Sequence, residues 1–344
     1  MQIECRHRVV FGGGWTAAGV RTMLEASRRT VLVAHVHADG DAVGSLTGMY
    51  ALLRRVRGGE VTMMLPDGVP EELAWLPNTG AVLNGHTEAT RCREAVEGAD
   101  LIVGLDISGF GRTGVLAEML THATARTMLI DHHIGPDRAD MVVSEPEISS
   151  TCELVYWLMR EAYGREAFTP EAAESLYTGL CTDTGNFSYS NTHASLYLAA
   201  AELTEAGIDP MDIGRKIRNV FTLPRLRLFG YAMAERLTVY DERKVALMVL
   251  SAKDIASFGV DDGELTGLIN EVMKLRDIDC GVLVREERDG TVRLSLRSKT
   301  LYDVNRIAGE MFGGGGHERA AGATSDVGLK ETVDVVKRTL GIEN

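Results

Sequence analysis

The sequence lacks the features that mark secreted, membrane-spanning and long-strand nucleic-acid-binding proteins. Its five cysteines stand singly, with no CxxC pair, which disfavours a disulfide framework and a structural zinc site and favours a reducing compartment. No charged-then-apolar leader opens the chain, and no apolar run reaches the ~18 residues of a membrane span. Aromatic residues make up 6% of the chain, too few to indicate an extended stacking platform for single strands. We therefore expect a cytoplasmic protein with no membrane partner.

An excess of basic residues is also missing. The formal net charge is −13, whereas proteins that bind long duplexes need a basic face. This charge argues against a broad footprint on long nucleic acid but does not exclude a small phosphorylated substrate held by local positive groups or metals. The apolar share of 45% provides material for cores, and 344 residues suggest two domains at about 150 residues each.

The first part of the chain alternates short apolar runs with amphipathic helices. The runs that read as buried strands cover residues 31–34, 61–65, 101–105 and 128–130. Predicted helices lie between or after them, at residues 43–56, 150–163, 171–181 and 194–206. This alternation predicts an α/β domain over residues 15–212, with a parallel sheet covered by helices on both faces. Residues 1–14 give no functional signal and read as a peripheral lead-in.

The pattern changes after about residue 210. Residues 213–234 read as a helical connector, and residues 235–344 as a smaller α+β domain. Its predicted strands fall within residues 236–250 and 278–297, and Asp289-Gly290 provides a hairpin turn. A helix over residues 304–312 then meets a run of four glycines.

Acidic residues and histidines follow the predicted strands, where parallel sheets place their chemistry. One cluster, "HVHADGD", could by itself be a helix cap followed by a surface acid. Three further clusters stand at the ends of other predicted segments. Their number favours a cavity shared by all four clusters over a helix cap with a surface acid. The four clusters contain His35, Asp39, Asp41, Asp106, Asp131, His132, His133 and Asp183.

Four carboxylates and two imidazoles in one cavity would be costly without cations, which makes a metal site the economical reading. The clusters contain no cysteine, and mixed imidazole and carboxylate ligands favour Mn²⁺, Mg²⁺ or Co²⁺. Six protein ligands exceed what one open catalytic ion needs. Two ions suit them better and would stabilise both the attacking and the leaving oxygen in phosphoryl chemistry.

The ordered motifs "HVHADGDAVGS", "GLDISG", "LIDHH" and "GLCTDTGNF" resemble those of the DHH phosphoesterase superfamily. The later "LSLRSK" and "FGGGGHERAAGA" look like the DHH-associated domain that follows in one subfamily. The resemblance covers roughly residues 30–323. It is strongest to the nanoRNase and pAp-phosphatase, or NrnA-like, subfamily.

The resemblance implies a role for each motif residue. It implies one ion held by His35, Asp39, Asp106 and Asp183, and a second held by Asp41, Asp106, His132 and Asp183. It also implies that Asp131 orients a ligand histidine and that His133 faces the scissile phosphate.

Two residues depart from the family pattern. Ala38 replaces a common proline, and His37 stands where asparagine is frequent. His37 is either an extra ligand or, as we expect, a residue that hydrogen-bonds within the loop.

The second domain is expected to contact the substrate. Glycines expose backbone N–H groups that can cradle an anion near a helix terminus, although the run could also be a plain linker. Arginine and histidine would add charge for a nucleotide phosphate. The resemblance supports this use, and the predicted substrate-binding residues are Arg297, Gly314, Gly315, Gly316 and His317.

Together these features predict a two-metal phosphoesterase, most simply with Mn²⁺, in which a metal-bridged hydroxide attacks phosphorus. The expected partners are very short oligoribonucleotides such as pApA or nucleoside bisphosphates such as pAp, and the resemblance suggests a homodimer. Alternatives within the superfamily are a RecJ-like single-strand exonuclease, a cyclic-dinucleotide phosphodiesterase and an exopolyphosphatase or pyrophosphatase. A regulatory nucleotide-binding module with a dead site is the alternative from another class.

Overall fold

The structure is a computed structural model that describes residues 15–189, 191–218, 221–260, 262–265 and 267–343. The predicted lead-in and residues 219–220 of the predicted connector lie outside the described residues. The chain divides into two compact units, Met1–Val220 and Phe221–Asn344. The division falls within the stretch predicted as a connector. None of the described helices is both long and apolar enough to cross a membrane.

A parallel sheet forms the centre of the first unit. Its six described strands have the order β3-β2-β1-β4-β5-β6, and every neighbouring pair is parallel. The predicted parallel sheet is thus confirmed. The strands are β1 (Arg29–Val33), β2 (Glu60–Leu65), β3 (Val82–Asn84), β4 (Leu101–Leu105), β5 (Arg126–Asp131) and β6 (Met141–Ser144).

Helices cover both faces of this sheet, as the alternation predicted. One core packs alternate strand residues such as Leu32 and Val103 against the larger helices. The opposite core packs Val31 and Ile102 against two short helices. The helices of the unit are α1 (Ala17–Ala26), α2 (Gly40–Val56), α3 (Ala89–Glu97), α4 (Ala117–Thr121), α5 (Thr151–Tyr163), α6 (Pro170–Asp183), α7 (Ala194–Glu205) and α8 (Pro210–Arg218).

The sequence did not reveal the two outermost strands, β3 and β6. They have three and four residues, and most of their side chains are only half-buried. An edge strand with so little apolar signal cannot be distinguished from a loop by periodicity. The central strands were found because their side chains are buried on both faces.

The second unit has a mixed sheet with the strand order β11-β12-β10-β9-β8-β7. Strands β8 and β9 pair in parallel and the other neighbours pair antiparallel. The predicted α+β class is therefore confirmed. The strands are β7 (Leu237–Tyr240), β8 (Val245–Leu250), β9 (Cys280–Glu286), β10 (Val292–Ser298), β11 (Gly315–His317) and β12 (Ala320–Ser325); the helices are α9 (Leu223–Glu235), α10 (Ala252–Ala256), α11 (Leu268–Val272), α12 (Val304–Phe312) and α13 (Leu329–Leu340).

Two stretches that the sequence presented as strand regions are hairpins. A turn at Asp241–Arg243, with the left-handed residue Lys244 (φ 54°), separates β7 from β8. The predicted turn at Asp289-Gly290 joins β9 to β10, with the amide of Gly290 donating to the carbonyl of Glu287 at 3.0 Å. The described helices α12 and α13 pack on one face of the sheet, and residues of α9, α10 and α11 pack on the other.

Candidate metal centre

The predicted ligands meet at one edge of the parallel sheet. His35 lies two residues beyond β1, Asp106 directly follows β4, and Asp131 is the last residue of β5. These three strands are neighbours in the order β1-β4-β5. Because parallel strands end at the same edge, the residues that follow them converge. Asp183 joins them from the last position of α6.

The start of α2 positions two more carboxylates. Asp39 is the N-cap, and its Oδ1 accepts the backbone N–H groups of Asp41 at 3.0 Å and Ala42 at 3.1 Å. This capping places Asp41 in the first turn of the helix, where its side chain is buried. The capping interpretation of the motif is thus correct for Asp39, whereas a surface position is wrong for Asp41.

Three groups of side chains each bring three possible metal-donor atoms within 4.8 Å of one another. Two of the groups have no residue in common, and the third shares Asp106 with one of them and His132 with the other. All six predicted metal ligands occur in this set. The groups are His35–Asp39–Asp106, Asp41–His132–Asp183 and Asp106–His132–His133.

His132 occupies the middle of the cluster. Its Nε2 lies 3.8 Å from Oδ1 of Asp106, 3.8 Å from Oδ2 of Asp183 and 3.9 Å from Oδ2 of Asp41. On the other side of Asp106, Oδ2 lies 3.5 Å from Nε2 of His35. The two oxygens of Asp106 therefore face different histidines.

The carboxylates of the cluster repel one another. Burial, followed by the charge of Asp106, raises the pKa of Asp41 well above its usual range. Burial and the charge of Asp41 raise the pKa of Asp183 to about 8. Burial also acts to raise the pKa of Asp106, but the surrounding histidines outweigh it and lower that pKa. Divalent cations would relieve this repulsion, so the residues fit a metal site.

The donor atoms of this cluster are nitrogen and oxygen. The thiol of Cys152 donates to the backbone carbonyl of Asp41 at 3.5 Å, but it belongs to none of the three groups. Burial and then the charge of Asp41 raise the pKa of this thiol, which keeps it protonated. A set of carboxylates and imidazoles suits ions such as Mn²⁺ and Mg²⁺.

Asp131 holds His133. Oδ1 of the buried Asp131 lies 2.8 Å from Nδ1 of His133, and Oδ2 accepts the backbone N–H of Ser108 at 2.8 Å. The sequence predicted that Asp131 orients a ligand histidine, yet the histidine it holds is the one predicted to face the phosphate. β5 ends at Asp131 and the chain bends at His133, where the ring meets this carboxylate.

The sequence did not identify Thr151 and Asn191 as residues of the site. The backbone N–H of Thr151 donates to Oδ2 of Asp41 at 2.7 Å, and its hydroxyl donates to Oδ1 of Asp106 at 3.0 Å. The side-chain amide of Asn191 donates to the backbone carbonyl of Asp183 at 3.3 Å. The run "SST" signals a helix start, but nothing in it tells which carboxylates the helix will meet.

His37 interacts with the loop that follows β2, and not within its own loop as expected, and it occurs in none of the three groups. Its backbone N–H donates to Oδ2 of Asp67 at 2.7 Å, and its ring Nδ1 lies 3.4 Å from the same oxygen. The backbone is left-handed at this residue, with φ 54°. Histidine and asparagine are among the residues that tolerate that conformation.

The predicted substrate residues of the second unit lie on and around β10, β11 and β12. Arg297 is half-buried on β10, and its Nη1 donates to the backbone carbonyl of Leu296 at 2.9 Å. Gly315, Gly316 and His317 form the short strand β11; the side chain of His317 lies outside the described part of the chain.

The glycine run follows a helix C-terminus, not an N-terminus. Gly313, with φ 62°, donates its N–H to the carbonyl of Gly309 at 3.0 Å, and Gly314 donates to that of Ala308 at 3.1 Å. These bonds cap α12, so the amide of Gly314 already has an acceptor. The helix terminus near the predicted anion cradle is thus a C-terminus, whose dipole does not favour an anion, and the cradle itself stays a prediction.

Family models match both units. The model described as DHH family, N-terminal domain, matches residues 29–180, and that of the DHHA1 domain matches residues 242–341. The first match includes His35, Asp106 and the Asp131-His132-His133 triplet.

Similar proteins match nearly the whole chain. The bifunctional oligoribonuclease and PAP phosphatase NrnA of Thermus thermophilus is 30% identical over 320 residues, which cover 89% of this chain and 87% of that protein. The protein of the same name from Bacillus subtilis is 27% identical over 299 residues, covering 86% and 88%.

A solved structure agrees with both matches. The crystal structure of an exopolyphosphatase-related protein from Bacteroides fragilis has a TM-score of 0.91 and 32% sequence identity, and covers 94% of this chain and 95% of that one. The matched models, the relatives and the cluster of donor atoms agree with one another: the chain belongs to the DHH family of metal-dependent phosphoesterases.

Proposed function

We propose that this phosphoesterase hydrolyses very short oligoribonucleotides to nucleoside 5′-monophosphates and hydrolyses pAp to AMP and phosphate, using two Mn²⁺ ions. The observation that carries the proposal is the pair of separate donor groups, His35–Asp39–Asp106 and Asp41–His132–Asp183. One catalytic ion needs about three protein ligands, so two such groups support two ions. The names of the Thermus thermophilus and Bacillus subtilis relatives supply the substrate class.

The first ion would be held by His35 and Asp39, and the second by Asp41 and His132. Asp106 and Asp183 would bind both ions, consistent with the contacts of Asp106 with histidines on either side. When bound, the ions supply positive charge that acidifies water and stabilises the charge that develops on the phosphoryl oxygens.

His133 would act on the substrate itself. Burial acts to raise the pKa of Asp131, but the hydrogen bond with His133 and the charge of that histidine together outweigh it and lower that pKa. A charged Asp131 would accept a hydrogen bond from Nδ1 of His133. That hydrogen bond also raises the pKa of His133, which favours a second proton on Nε2. Nε2 can then donate to a phosphoryl oxygen.

The second unit would hold the nucleotide. Arg297 would place its guanidinium on a phosphate, and Gly315, Gly316 and His317 would contact the terminal nucleotide. Gly314 stays in this set, although its amide already donates to the carbonyl of Ala308 at the end of α12. It would contribute through its lack of a side chain, which lets a nucleotide approach the backbone closely. A Cβ at Gly314 would overlap the carbonyl of Gly322 on β12. The net charge of −13 disfavours long strands and so supports short substrates.

In the reaction, a water oxygen forms a bond to phosphorus and the phosphoester P–O bond breaks. The displaced ester oxygen leaves with a proton, and the other proton of water is released. For pApA the products are two AMP molecules. For pAp they are AMP and inorganic phosphate.

The proposal extends to location and assembly. We place the enzyme in the cytoplasm because the described cysteines, all free and buried, suit a reducing compartment: Cys92, Cys152, Cys181 and Cys280. We also propose a homodimer in solution, which light scattering on the purified protein would test. A monomeric mass would contradict that part of the proposal.

The first experiment measures turnover of pApA, pAp, a cyclic dinucleotide, a long single-stranded oligoribonucleotide and pyrophosphate, each with Mn²⁺ and with excess chelator. We expect AMP from pApA and pAp and no release with chelator. Asp183→Asn should abolish turnover of every substrate, whereas Asp140→Asn, an exposed change near the opposite end of β5, should not affect it.

Preference for the long strand, the cyclic dinucleotide or pyrophosphate would overturn the substrate assignment but leave the metal centre. Full activity of Asp183→Asn would overturn the centre itself. Binding of pAp without turnover would favour a regulatory module.

A further inference from the structure

The first turn of α5 lies against two carboxylates of the metal centre. The backbone N–H groups of Thr151 and Cys152 donate to Oδ2 and Oδ1 of Asp41, at 2.7 and 2.8 Å. The hydroxyl of Thr151 donates to Oδ1 of Asp106 at 3.0 Å. One residue thus contacts Asp41 through its backbone and Asp106 through its side chain.

These two contacts can be separated by substitution. The amides belong to the helix N-terminus and are retained with any residue except proline. The helix is capped by Ser150, whose hydroxyl accepts the N–H of Glu153 at 3.1 Å. The hydroxyl of Thr151 is therefore not needed to cap the helix, and its hydrogen bond is directed to Asp106.

The buried Thr178 uses its hydroxyl differently. It donates to the carbonyl of Glu174, four residues earlier in its own helix, at 2.8 Å. This is the usual local bond of a helical threonine. Thr151, equally buried, instead donates to a side chain 45 residues away in sequence.

Asp106 needs such a contact to define its orientation. Its backbone is left-handed, with φ 59°, so the regular strand does not set the direction of its side chain. Its Oδ2 faces His35, and its Oδ1 faces His132 and His133 at 3.8 and 3.4 Å. A hydroxyl bonded to Oδ1 opposes rotation of the carboxylate, which would exchange the two oxygens.

We propose that Thr151 is a positioning residue, whose hydroxyl holds Asp106 in the orientation in which each of its oxygens serves a different metal ion. This rests on the proposed two-ion function of the same site. Hydrogen bonds that orient ligating carboxylates typically change metal affinity or activity 10- to 100-fold when removed.

The test compares full-length Thr151→Val, which keeps the shape but removes the hydroxyl, with Thr151→Ser, which keeps the hydroxyl. Calorimetric titration with Mn²⁺ gives the affinity, and the Mn²⁺ dependence of pApA turnover gives a second readout. We expect Thr151→Val to weaken Mn²⁺ binding about 10- to 100-fold and Thr151→Ser to stay within about 3-fold.

Thr178→Val is the matched control, because Thr178 is as buried as Thr151 and its hydroxyl bonds only to its own helix among the described contacts. It should leave Mn²⁺ affinity unchanged. Thermal unfolding without metal shows whether each variant folds. If Thr151→Val does not fold, Thr151→Ala removes the same hydroxyl with a smaller, unbranched side chain. We expect it to weaken Mn²⁺ binding to the same extent as Thr151→Val.

Wild-type Mn²⁺ affinity in Thr151→Val, or equal loss in Thr151→Val and Thr151→Ser, would overturn the positioning role. If the affinities change as expected while wild type turns over neither pApA nor pAp, the substrate proposal fails and the positioning role stands. If wild type turns over pApA while the affinities stay unchanged, the positioning role fails and the substrate proposal stands.

Discussion

Nδ1 of His133 lies 2.8 Å from Oδ1 of Asp131, at the point where β5 ends beside the metal centre. The same carboxylate accepts the backbone N–H of Ser108, so both of its oxygens have a donor. Ser108 has a left-handed backbone with φ 48°, and the next residue, Gly109, could not carry a Cβ without overlapping Asp137. Asp131 thus fixes a loop and a histidine at once.

Asp131→Asn should lower kcat about 10- to 100-fold, the range for loss of an orienting contact behind a functional residue. Asparagine has an NH₂ group in place of one carboxylate oxygen. That group would face an N–H donor, either Nδ1 of His133 or the amide of Ser108, and one of the two hydrogen bonds would be lost. We expect Mn²⁺ affinity to change less than kcat, because Asp131 is not among the proposed ligands. Steady-state kinetics with pApA check this, and unchanged kcat would contradict a role for the Asp131–His133 pair.

Asp183→Asn should remove a pH-dependent destabilisation of the metal-free protein. Because burial and the charge of Asp41 raise the pKa of Asp183 to about 8, against ~3.9 in the unfolded chain, folding takes up a proton between these values. Stability of the metal-free wild type should therefore fall as pH rises from about 4 to 8. The variant should show a smaller fall, and a melting temperature at pH 8 about 2 °C or more above wild type.

Mn²⁺ should reverse the ranking of these two proteins. At 100 times the Kd, a ligand stabilises the folded state by about 2.7 kcal/mol, and Asp183→Asn should lose most of that gain. Melting curves at pH 5 and pH 8, with Mn²⁺ and with chelator, give all the comparisons. Equal stabilisation of both proteins by Mn²⁺ would exclude Asp183 as a ligand.

The central architecture could be predicted because it depends on local patterns. The run at residues 101–105 is the buried strand β4 with the predicted bounds, and the run at residues 61–65 lies in β2, which begins one residue earlier, at Glu60. Motif order then gave the donor residues, since the ends of neighbouring parallel strands must meet. Short edge strands such as β6 have neither a clear apolar pattern nor a motif at their ends. They form because they pair with a strand that is distant in sequence.

Contacts made by the backbone account for most of what the sequence did not reveal. Two such contacts do not depend on side-chain type. The backbone N–H of Thr151 donates to Asp41, and that of Gly314 caps α12. The sequence also did not show which of the adjacent histidines Asp131 holds, because His132 and His133 are equivalent in a motif, and both rings lie near Oδ1 of Asp106 in the structure.

Arg297→Ala should raise KM for pApA and pAp about 10-fold or more, with a smaller change in kcat. A charged hydrogen bond to phosphate contributes about 1.5–3 kcal/mol, which corresponds to a 10- to 100-fold change in affinity. Arg306→Ala is the control, since Arg306 is exposed on α12 and pairs with Glu310 at 2.8 Å. Equal effects of the two variants would argue against a specific phosphate contact.

Gly179→Ala should loosen the packing behind the centre. A Cβ at this position of α6 would overlap Sγ of Cys152 and lie 2.9 Å from Oδ1 of Asp41. We expect a loss of about 1–3 kcal/mol in the free energy of unfolding, together with weaker Mn²⁺ binding. Gly230→Ala on α9, where a Cβ meets nothing within 4 Å, should instead stabilise the protein by about 0.5–1 kcal/mol. Denaturant unfolding measures both, and a neutral Gly179→Ala would contradict the close packing.

In the second unit, Asp254 should stabilise the fold in a pH-dependent way. Burial acts to raise its pKa, but hydrogen bonds from Arg236, Tyr231 and Ser251 outweigh it and lower that pKa well below its usual range. Since the folded-state pKa is depressed, the stabilisation is present above ~4, the unfolded value, and is lost as pH falls toward the folded value. Asp254→Asn should therefore cost about 2 kcal/mol at pH 7 and progressively less below pH ~4.

Asp334→Asn, an exposed change on α13 in the same unit, separates this effect from a general loss of negative charge. It should change the free energy of unfolding by less than about 0.5 kcal/mol. Denaturant unfolding of the three proteins at pH 7 and pH 2 makes the comparison, because pH 2 lies well below the unfolded-state pKa. Only a charged group loses its contribution to stability on protonation. If Asp254→Asn lowers the free energy of unfolding by the same amount at both pH values, then packing of the side chain, and not its charge, stabilises the Ser251–Asp254 turn.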